Sequence, residues 1–198
     1  MTKQNNIGLY FGTFNPVHIG HLAIANYIVE SNDLDEIWMV ITPHNPFKKK
    51  KTLLDDYQRL HMVHLATDDY DKIKASNIEF GLPQPNYTVN TLAHLSEKYP
   101  DKEFTLIMGA DNLKSLHKWK NYKVLLEDYN IIVYPRATIG ELPKEFENHP
   151  KIQLILAPIM EISSTMIRNG IAEGKDLRYF MHHQVQEYVQ EMHFYKSL

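Results

Sequence analysis

Two histidines stand three residues apart behind a short apolar run and a Gly-Thr-Phe turn. The stretch reads Gly12-Thr13-Phe14-Asn15-Pro16-Val17-His18-Ile19-Gly20-His21. On a helix, His18 and His21 share one face. Gly12 allows a ligand close to the backbone. A helix starting here offers unpaired N–H groups and partial positive charge, a natural phosphate site. Gly20 leaves room above the histidine face for a base or ribose. Two imidazoles beside a phosphate site suit stabilisation of charge on a transferring phosphoryl or nucleotidyl group. Read as plain architecture, His18 caps a helix and His21 is an interior histidine. The turn on a strand end favours the chemical reading.

A second constellation is Ile162-Ser163-Ser164-Thr165-Met166-Ile167-Arg168. Ser and Thr before a helical run are N-cap residues. Their hydroxyls and the first N–H groups can grip phosphate oxygens, and Arg168, one turn in, adds a charged fork. The plain alternative is a Ser cap with a solvated Arg. Two further groups fall at element ends. Asn86-Tyr87-Thr88 opens a helical run, and Gly109-Ala110-Asp111 follows an apolar run, with Trp119 eight residues past Asp111. Four consecutive lysines, Lys48 to Lys51, mark a loop with two prolines nearby. As a solvated loop they need no ligand.

These residues need elements to hold them. Ile7–Phe11, Glu36–Ile41, Lys72–Ile78, Phe104–Met108, Ile131–Tyr134 and Ile152–Leu156 read as strands. Helices are expected at about His18–Ser31, Thr88–Lys98, Ser163–Glu173 and His182–Met192. A helical stripe is expected through Leu53, Tyr57, Leu60 and Val63, and another through Val185, Tyr188, Val189 and Met192. Glu79–Asn86 holds Gly81, Pro83 and Pro85 and should be irregular. Residues 137–150 read as a surface excursion. Buried strands alternating with helices predict an α/β fold: a Rossmann-like, doubly wound, mainly parallel sheet with helices on both faces and a C-terminal helical cap. In such sheets ligands bind beyond the carboxyl ends of strands, where the constellations above fall. One domain over residues 1–198 is expected, with about 163–198 as its helical part.

Composition narrows the function classes. With 43% hydrophobic and 23% charged residues in 198, the chain is neither disordered, collagenous nor a coiled coil. A net charge of −3 argues against a nucleic-acid binder. The chain has no cysteine, which removes disulfides, thiolate chemistry, zinc fingers and Fe–S clusters. The polar opening MTKQNN and the short apolar runs predict no signal peptide, no membrane span and a cytoplasmic protein. Eleven histidines invite a metal reading. Yet His61 and His64 lack an acidic partner at a recognised spacing, His117, His182 and His183 form no known set, and no His-Glu-x-x-His motif exists. No protein-ligated metal is expected.

The His18–His21 stretch resembles the His-x-Gly-His signature of the nucleotidyltransferase superfamily. His-Ile-Gly-His is also shared by class I aminoacyl-tRNA synthetases, so this motif implies nucleotidyl transfer but not the substrate. Ile162–Arg168 looks like the Ile-Ser-x-Thr-x-x-Arg signature that accompanies it, in the same order and about 140 residues on. The Tyr87-Thr88, Gly109-x-Asp111 and Trp119 elements are similar to those of the bacterial nicotinate-nucleotide adenylyltransferase family. Arg59-x-x-Met62-x-x-Leu65-Ala66 also fits that family, as packing. The resemblance runs from Gly8 to Arg168. The loop after the second strand departs from it: the family often has Pro-Pro-His-Lys or Pro-Pro-His-Arg, whereas Pro43-His44-Asn45-Pro46-Phe47 and then lysines stand here.

The resemblance implies adenylyl transfer from ATP to nicotinate mononucleotide in NAD biosynthesis. It implies catalytic roles for His18, His21 and Arg168. It implies an ATP site of Gly12, Thr13, Phe14, His18, Gly20, His21, Gly109, Asp111, Ile162, Ser163, Ser164, Thr165 and Arg168. The nicotinate-nucleotide site would comprise Asn15, Lys48, Lys49, Tyr87, Thr88, Asp111 and Trp119. There the Tyr-Thr backbone meets the pyridine carboxylate and Trp119 stacks on the ring. Mg²⁺ would ride on the ATP phosphates and keep most of its waters. Transfer to the amide nucleotide or to phosphopantetheine remains open, as does a nucleotide-binding module without catalysis. A tRNA synthetase is disfavoured by the short chain and the missing Lys-Met-Ser-Lys-Ser segment.

Overall fold

The computed structural model describes residues 5–43, 53–135 and 143–196. In chain order they form β1 (Asn5–Gly12), α1 (Ile19–Ser31), β2 (Glu36–Ile41), α2 (Asp56–Thr67), β3 (Ile73–Ser76), α3 (Thr88–Lys98) and β4 (Lys102–Gly109). Then come α4 (Ala110–Lys114), α5 (Tyr122–Asp128), β5 (Asn130–Tyr134), α6 (Lys144–Glu147), β6 (Ile152–Leu154), α7 (Ser164–Ala172) and α8 (His183–Glu191). Short 3-10 turns fall at Ile78–Gly81, Leu116–Lys118 and Arg178–Phe180.

All six strands are parallel, in the order β3-β2-β1-β4-β5-β6. The sheet is therefore doubly wound, and its order reverses between β1 and β4. Loops leaving those two strands part in opposite directions and open a crevice at their carboxyl ends.

Strand side chains alternate between two cores, as the two-residue period of a strand requires. Tyr10, Met39, Ile41, Ile107, Ile132 and Tyr134 face one layer, with Ile24 and Ile28 of α1, Met62 and Val63 of α2, Ile167 of α7 and Val185 of α8. Leu9, Val40, Leu106, Met108, Ile131 and Val133 face the other, with Val89, Leu92 and Leu95 of α3, Leu113 of α4 and Leu125 of α5. Each fully buried aliphatic side chain contributes about 1.5–3 kcal/mol. The strands sit between two dry layers, which is why they read as continuous apolar runs.

Four expectations need correction. The seam of α2 runs through Arg59, Met62, Val63, Ala66 and Thr67, while Tyr57 is 67% exposed. The charge of Arg59 disguised a core position. On α8, Val185 and Val189 are buried, but Met192 lies past the helix end and is half exposed. The chain turns there, with His193 at φ 55. Strand β6 stops at Leu154, since at the sheet edge it has one neighbour, and Leu156 is fully out in solvent. Of residues 137–150, those described from 143 onward are no mere excursion, because Phe146 of α6 is buried in the second core. The short helices α4 and α5 were not expected, since neither is long enough to show a period.

Candidate active site

The crevice begins where β1 ends. A Cβ on Gly12 would lie 2.8 Å from the Phe14 ring, so only glycine lets that ring fold back against the strand end. Phe14 is buried and left-handed, at φ 45. Distant segments then grip the turn. Arg59 Nη1 donates to the Thr13 carbonyl at 2.6 Å, and Arg168 Nη1 to the Asn15 carbonyl at 2.8 Å. Ser164 Oγ donates to the Pro16 carbonyl at 2.9 Å. The Asn15 side-chain oxygen accepts from the Tyr195 hydroxyl at 2.8 Å and from the Leu54 N–H at 3.3 Å. Arg59 has no exposed surface, pairs with Asp56 and donates Nε to the Leu54 carbonyl. Burial lowers its pKa from the ordinary guanidinium value, and Asp56 opposes the shift. A guanidinium remains charged regardless.

His18 is the N-cap of α1, with extended backbone, and it is buried. Its ring stacks on that of His21, with centroids 3.7 Å apart and planes at 26°. His21 Nδ1 accepts the His18 backbone N–H at 3.3 Å. In the neutral ring the proton then sits on Nε2, leaving that atom as the donor. Phe14 meets the His21 ring edge-on at 5.1 Å. A Cβ on Gly20 would come within 3.1 Å of the His18 ring. Gly20 therefore makes room for the imidazole itself, not only for a ligand above it.

Helix α7 brings the second constellation to the same place. Ser163 is its N-cap, and its Oγ accepts the Met166 N–H at 3.2 Å. Arg168 bridges the Asn15 carbonyl and Thr165 Oγ1, the latter at 3.1 Å. Ser164 and Arg168 thus tie the start of α7 to the turn before α1. The two helix starts border one cavity of about 300 Å³. A second cavity, of about 200 Å³, reaches toward β4 and shares Tyr10, Thr13, His21 and Tyr134 as walls. Tyr10 and Tyr134 join hydroxyls at 3.1 Å between them.

Among the described residues no carboxylate lines either cavity, while His18, His21 and Arg168 line the first. Such a lining suits an anion. Among the described residues, no three His, Asp or Glu gather around a common point. The donors here fit phosphate oxygens rather than a cation held by the protein itself.

The first cavity collects Thr13, Asn15, His18, Gly20, His21, Ile162, Ser163, Ser164, Thr165 and Arg168 from the sequence expectation. The second collects Gly12, Thr13, Phe14, His21, Gly109 and Trp119. Asp111 is exposed in the first turn of α4, beside Asn112, which does line the second cavity. Tyr87 caps α3 and Thr88 opens it; neither lines these cavities. The Lys120 ammonium lies 4.3 Å above the Tyr87 ring, one residue from Trp119. Lys48 and Lys49 lie outside the described residues. Sequence reasoning missed the lining residues Tyr10, Tyr134, Met160 and Asn112. The two tyrosines stand near strand ends, which could have marked them. It also missed the holding roles of Arg59 and Tyr195, for which no local pattern exists.

A nucleotide-binding α/β crevice with these two helix starts is the class of protein described by the cytidylyltransferase-like family, whose model matches residues 9–170. The chain is 62% identical over 191 residues to a protein of Flavobacterium psychrophilum described as "probable nicotinate-nucleotide adenylyltransferase", covering 96% of this chain and 99% of that one. It is 63% identical to a protein of Flavobacterium johnsoniae so described, with the same coverage. The chain belongs to the cytidylyltransferase-like family and, within it, to the nicotinate-nucleotide adenylyltransferases. The solved structure of Plasmodium falciparum nicotinic acid mononucleotide adenylyltransferase complexed with NaAD superposes with a TM-score of 0.82, covering 98% of both chains. At 21% identity that likeness speaks to the fold. Nucleotidyltransferases of this family generally use a divalent metal.

Proposed function

We propose that the chain transfers AMP from ATP to nicotinate mononucleotide, releasing pyrophosphate and forming nicotinate adenine dinucleotide. The observation that carries this reading is the cavity bordered by two helix starts, lined among the described residues by His18, His21 and Arg168 and by no carboxylate. The relatives at 62% and 63% identity support the acceptor.

The acceptor phosphate has a second pKa near 6, so at about pH 7 it is mostly a dianion and a competent nucleophile. One of its oxygens bonds to the α-phosphorus as the bond from that phosphorus to the bridging oxygen breaks. The electron pair leaves with pyrophosphate, and no general base is needed. The protein's task is alignment and neutralisation of crowded charge. His21 Nε2 and His18 face the α- and β-phosphates. The α7 start, Ser163 to Thr165, and Arg168 take the β- and γ-phosphates and the leaving group. Gly12, Thr13, Phe14, Gly20, Gly109 and Ile162 shape the nucleotide's seat. Asp111, Tyr87, Thr88 and Trp119 serve the acceptor, with Lys48 or Lys49 on its phosphate. Asn15, expected with them from the sequence, lines the first cavity beside His18 and Arg168, and its side-chain oxygen accepts from Tyr195 and Leu54, so we assign it to the nucleotide side. ATP arrives as its Mg²⁺ complex, a substrate whose metal spreads phosphate charge. The reading treats residues 1–198 as one domain, supported by a core shared from Tyr10 to Tyr195. No helix among the described residues is long and apolar enough to cross a membrane, and a cytoplasmic location fits the reading.

The test is pyrophosphate release from MgATP with nicotinate mononucleotide, then with nicotinamide mononucleotide. Fast release with the acid and slow release with the amide is expected. The reverse preference would change the acceptor. No release with either, from folded protein that binds ATP, would overturn the reading and make phosphopantetheine the next acceptor.

A further inference from the structure

After α8 the chain makes a tight hook. His193 and Tyr195 both take left-handed backbone, at φ 55 and 63. Non-glycine residues keep such a conformation only where their surroundings hold them. The hook turns Phe194 and Tyr195 into the first core, 9% and 6% exposed. Phe194 packs edge-on against Tyr188 at 5.5 Å, and its N–H reaches the Val189 carbonyl at 3.1 Å. Packing explains the phenylalanine. It does not explain a buried hydroxyl, which is costly unless it is paired.

The Tyr195 hydroxyl donates to the side-chain oxygen of Asn15, 180 residues away in the chain. The Leu54 N–H meets the same oxygen, so the Asn15 side chain is held from two directions. The main-chain carbonyl of Asn15 in turn seats the Arg168 guanidinium. The Arg168 and Arg59 charges both act on the phenol, yet burial dominates and keeps its pKa above the ordinary value. Tyr195 is therefore a neutral donor to the turn that both arginines grip.

We propose that Tyr195 is a positioning residue: through Asn15 it sets where Arg168 stands, and so how tightly the cavity holds the phosphates of a nucleoside triphosphate. The proposal rests on the adenylyltransferase reading. Tyr195 touches no reacting atom. Its hydroxyl acts on the nucleotide side of the crevice and leaves the acceptor side alone.

Tyr195→Phe removes only that hydroxyl. At a temperature well below unfolding, the KM for MgATP is expected to rise about tenfold, the scale of one hydrogen bond onto a charged partner's seat. The KM for nicotinate mononucleotide is expected to stay within about twofold. Met192→Ala, on the exposed side of the same hook, should leave both unchanged. A hydroxyl that merely stabilises the fold would lower the melting temperature and move neither KM. That result, or an equal rise in both constants, would overturn the proposal. Asn15→Ala reaches the same bond from the other side and serves if Tyr195→Phe does not fold. Combining the two should add less than about twofold to the larger single effect, whereas multiplying effects would count against the tether. If the wild-type protein shows no turnover, the functional reading fails on its own account. The tether is then judged by the dissociation constant of MgATP in calorimetry, where the same tenfold weakening is expected.

Discussion

The two sides of the crevice are built differently. On the nucleotide side, Asn15 and His18 are 3% and 4% exposed, and the turn from Thr13 to Pro16 is held by Arg59, Ser164, Arg168 and Tyr195. On the side proposed for the acceptor, Tyr87 is 37% exposed and Asp111 is exposed on a helix of five residues. Preorganisation is needed where charge builds up. Charge develops at the phosphates, and donors fixed in advance cost no reorganisation as the reaction proceeds. A flat pyridine ring asks for a surface such as the Trp119 face and little else. In the proposed reading, rigid support is therefore concentrated around the transferred group.

That contrast can be broken from either side. The largest effect is expected on the nucleotide side. His21→Ala should lower turnover by about ten- to a thousandfold, with a small change in the KM for MgATP, as loss of a transition-state contact does. Near-normal turnover in the folded variant would remove His21 from the chemistry. On the acceptor side, Trp119→Ala should raise the KM for nicotinate mononucleotide by about three- to tenfold, the scale of one aromatic contact, and leave that for MgATP alone. A change in the ATP constant instead would mean that the two sides are not separable.

The smallest effect concerns the acceptor side's foundation. Glu79 is buried in the turn before α3, and one carboxylate oxygen accepts from Thr91 Oγ1 at 2.8 Å. Burial raises its pKa above the ordinary carboxylate value, more than Thr91 lowers it. The folded state therefore binds the proton more tightly than the unfolded one. The stability linked to that proton is complete below the usual carboxylate range and is lost as pH rises through the raised value. Glu79→Gln mimics the protonated group. It should melt within error of wild type at about pH 4 and about 2–4 °C higher at about pH 8, for a change of about 1 kcal/mol. A gap independent of pH would show that the carboxyl does not titrate in this way.

Much of the fold was legible because its signals are local. The strand Glu36–Ile41 and the helix Thr88–Lys98 stand where the apolar run and the Pro100 stop set them. The histidine pair and the Ser163–Arg168 start were legible for the same reason: residue types at fixed spacing on the first turn of a helix. Arg59 was read as packing, since nothing near it points to Thr13, 46 residues away. Tyr57 was read as core because the three-four step of apolar residues passes through it. That step does not say which neighbouring ridge faces the sheet. Gly20 was read as space for a ligand; the structure adds that it also makes room for the His18 ring.

Local residue patterns encode the alternation of strands and helices, the two helix starts that favour phosphate, and the chemistry of the side chains placed there. These follow from periodicity, capping and charge within a few residues. That β1 and β4 lie side by side, that α7 closes over the turn before α1, and that Tyr195 comes to rest on Asn15 are set by long-range packing. Those contacts join residues far apart in the chain. Their partners are selected by which buried donors and acceptors must be satisfied once the two cores are packed, and no local spacing encodes that requirement.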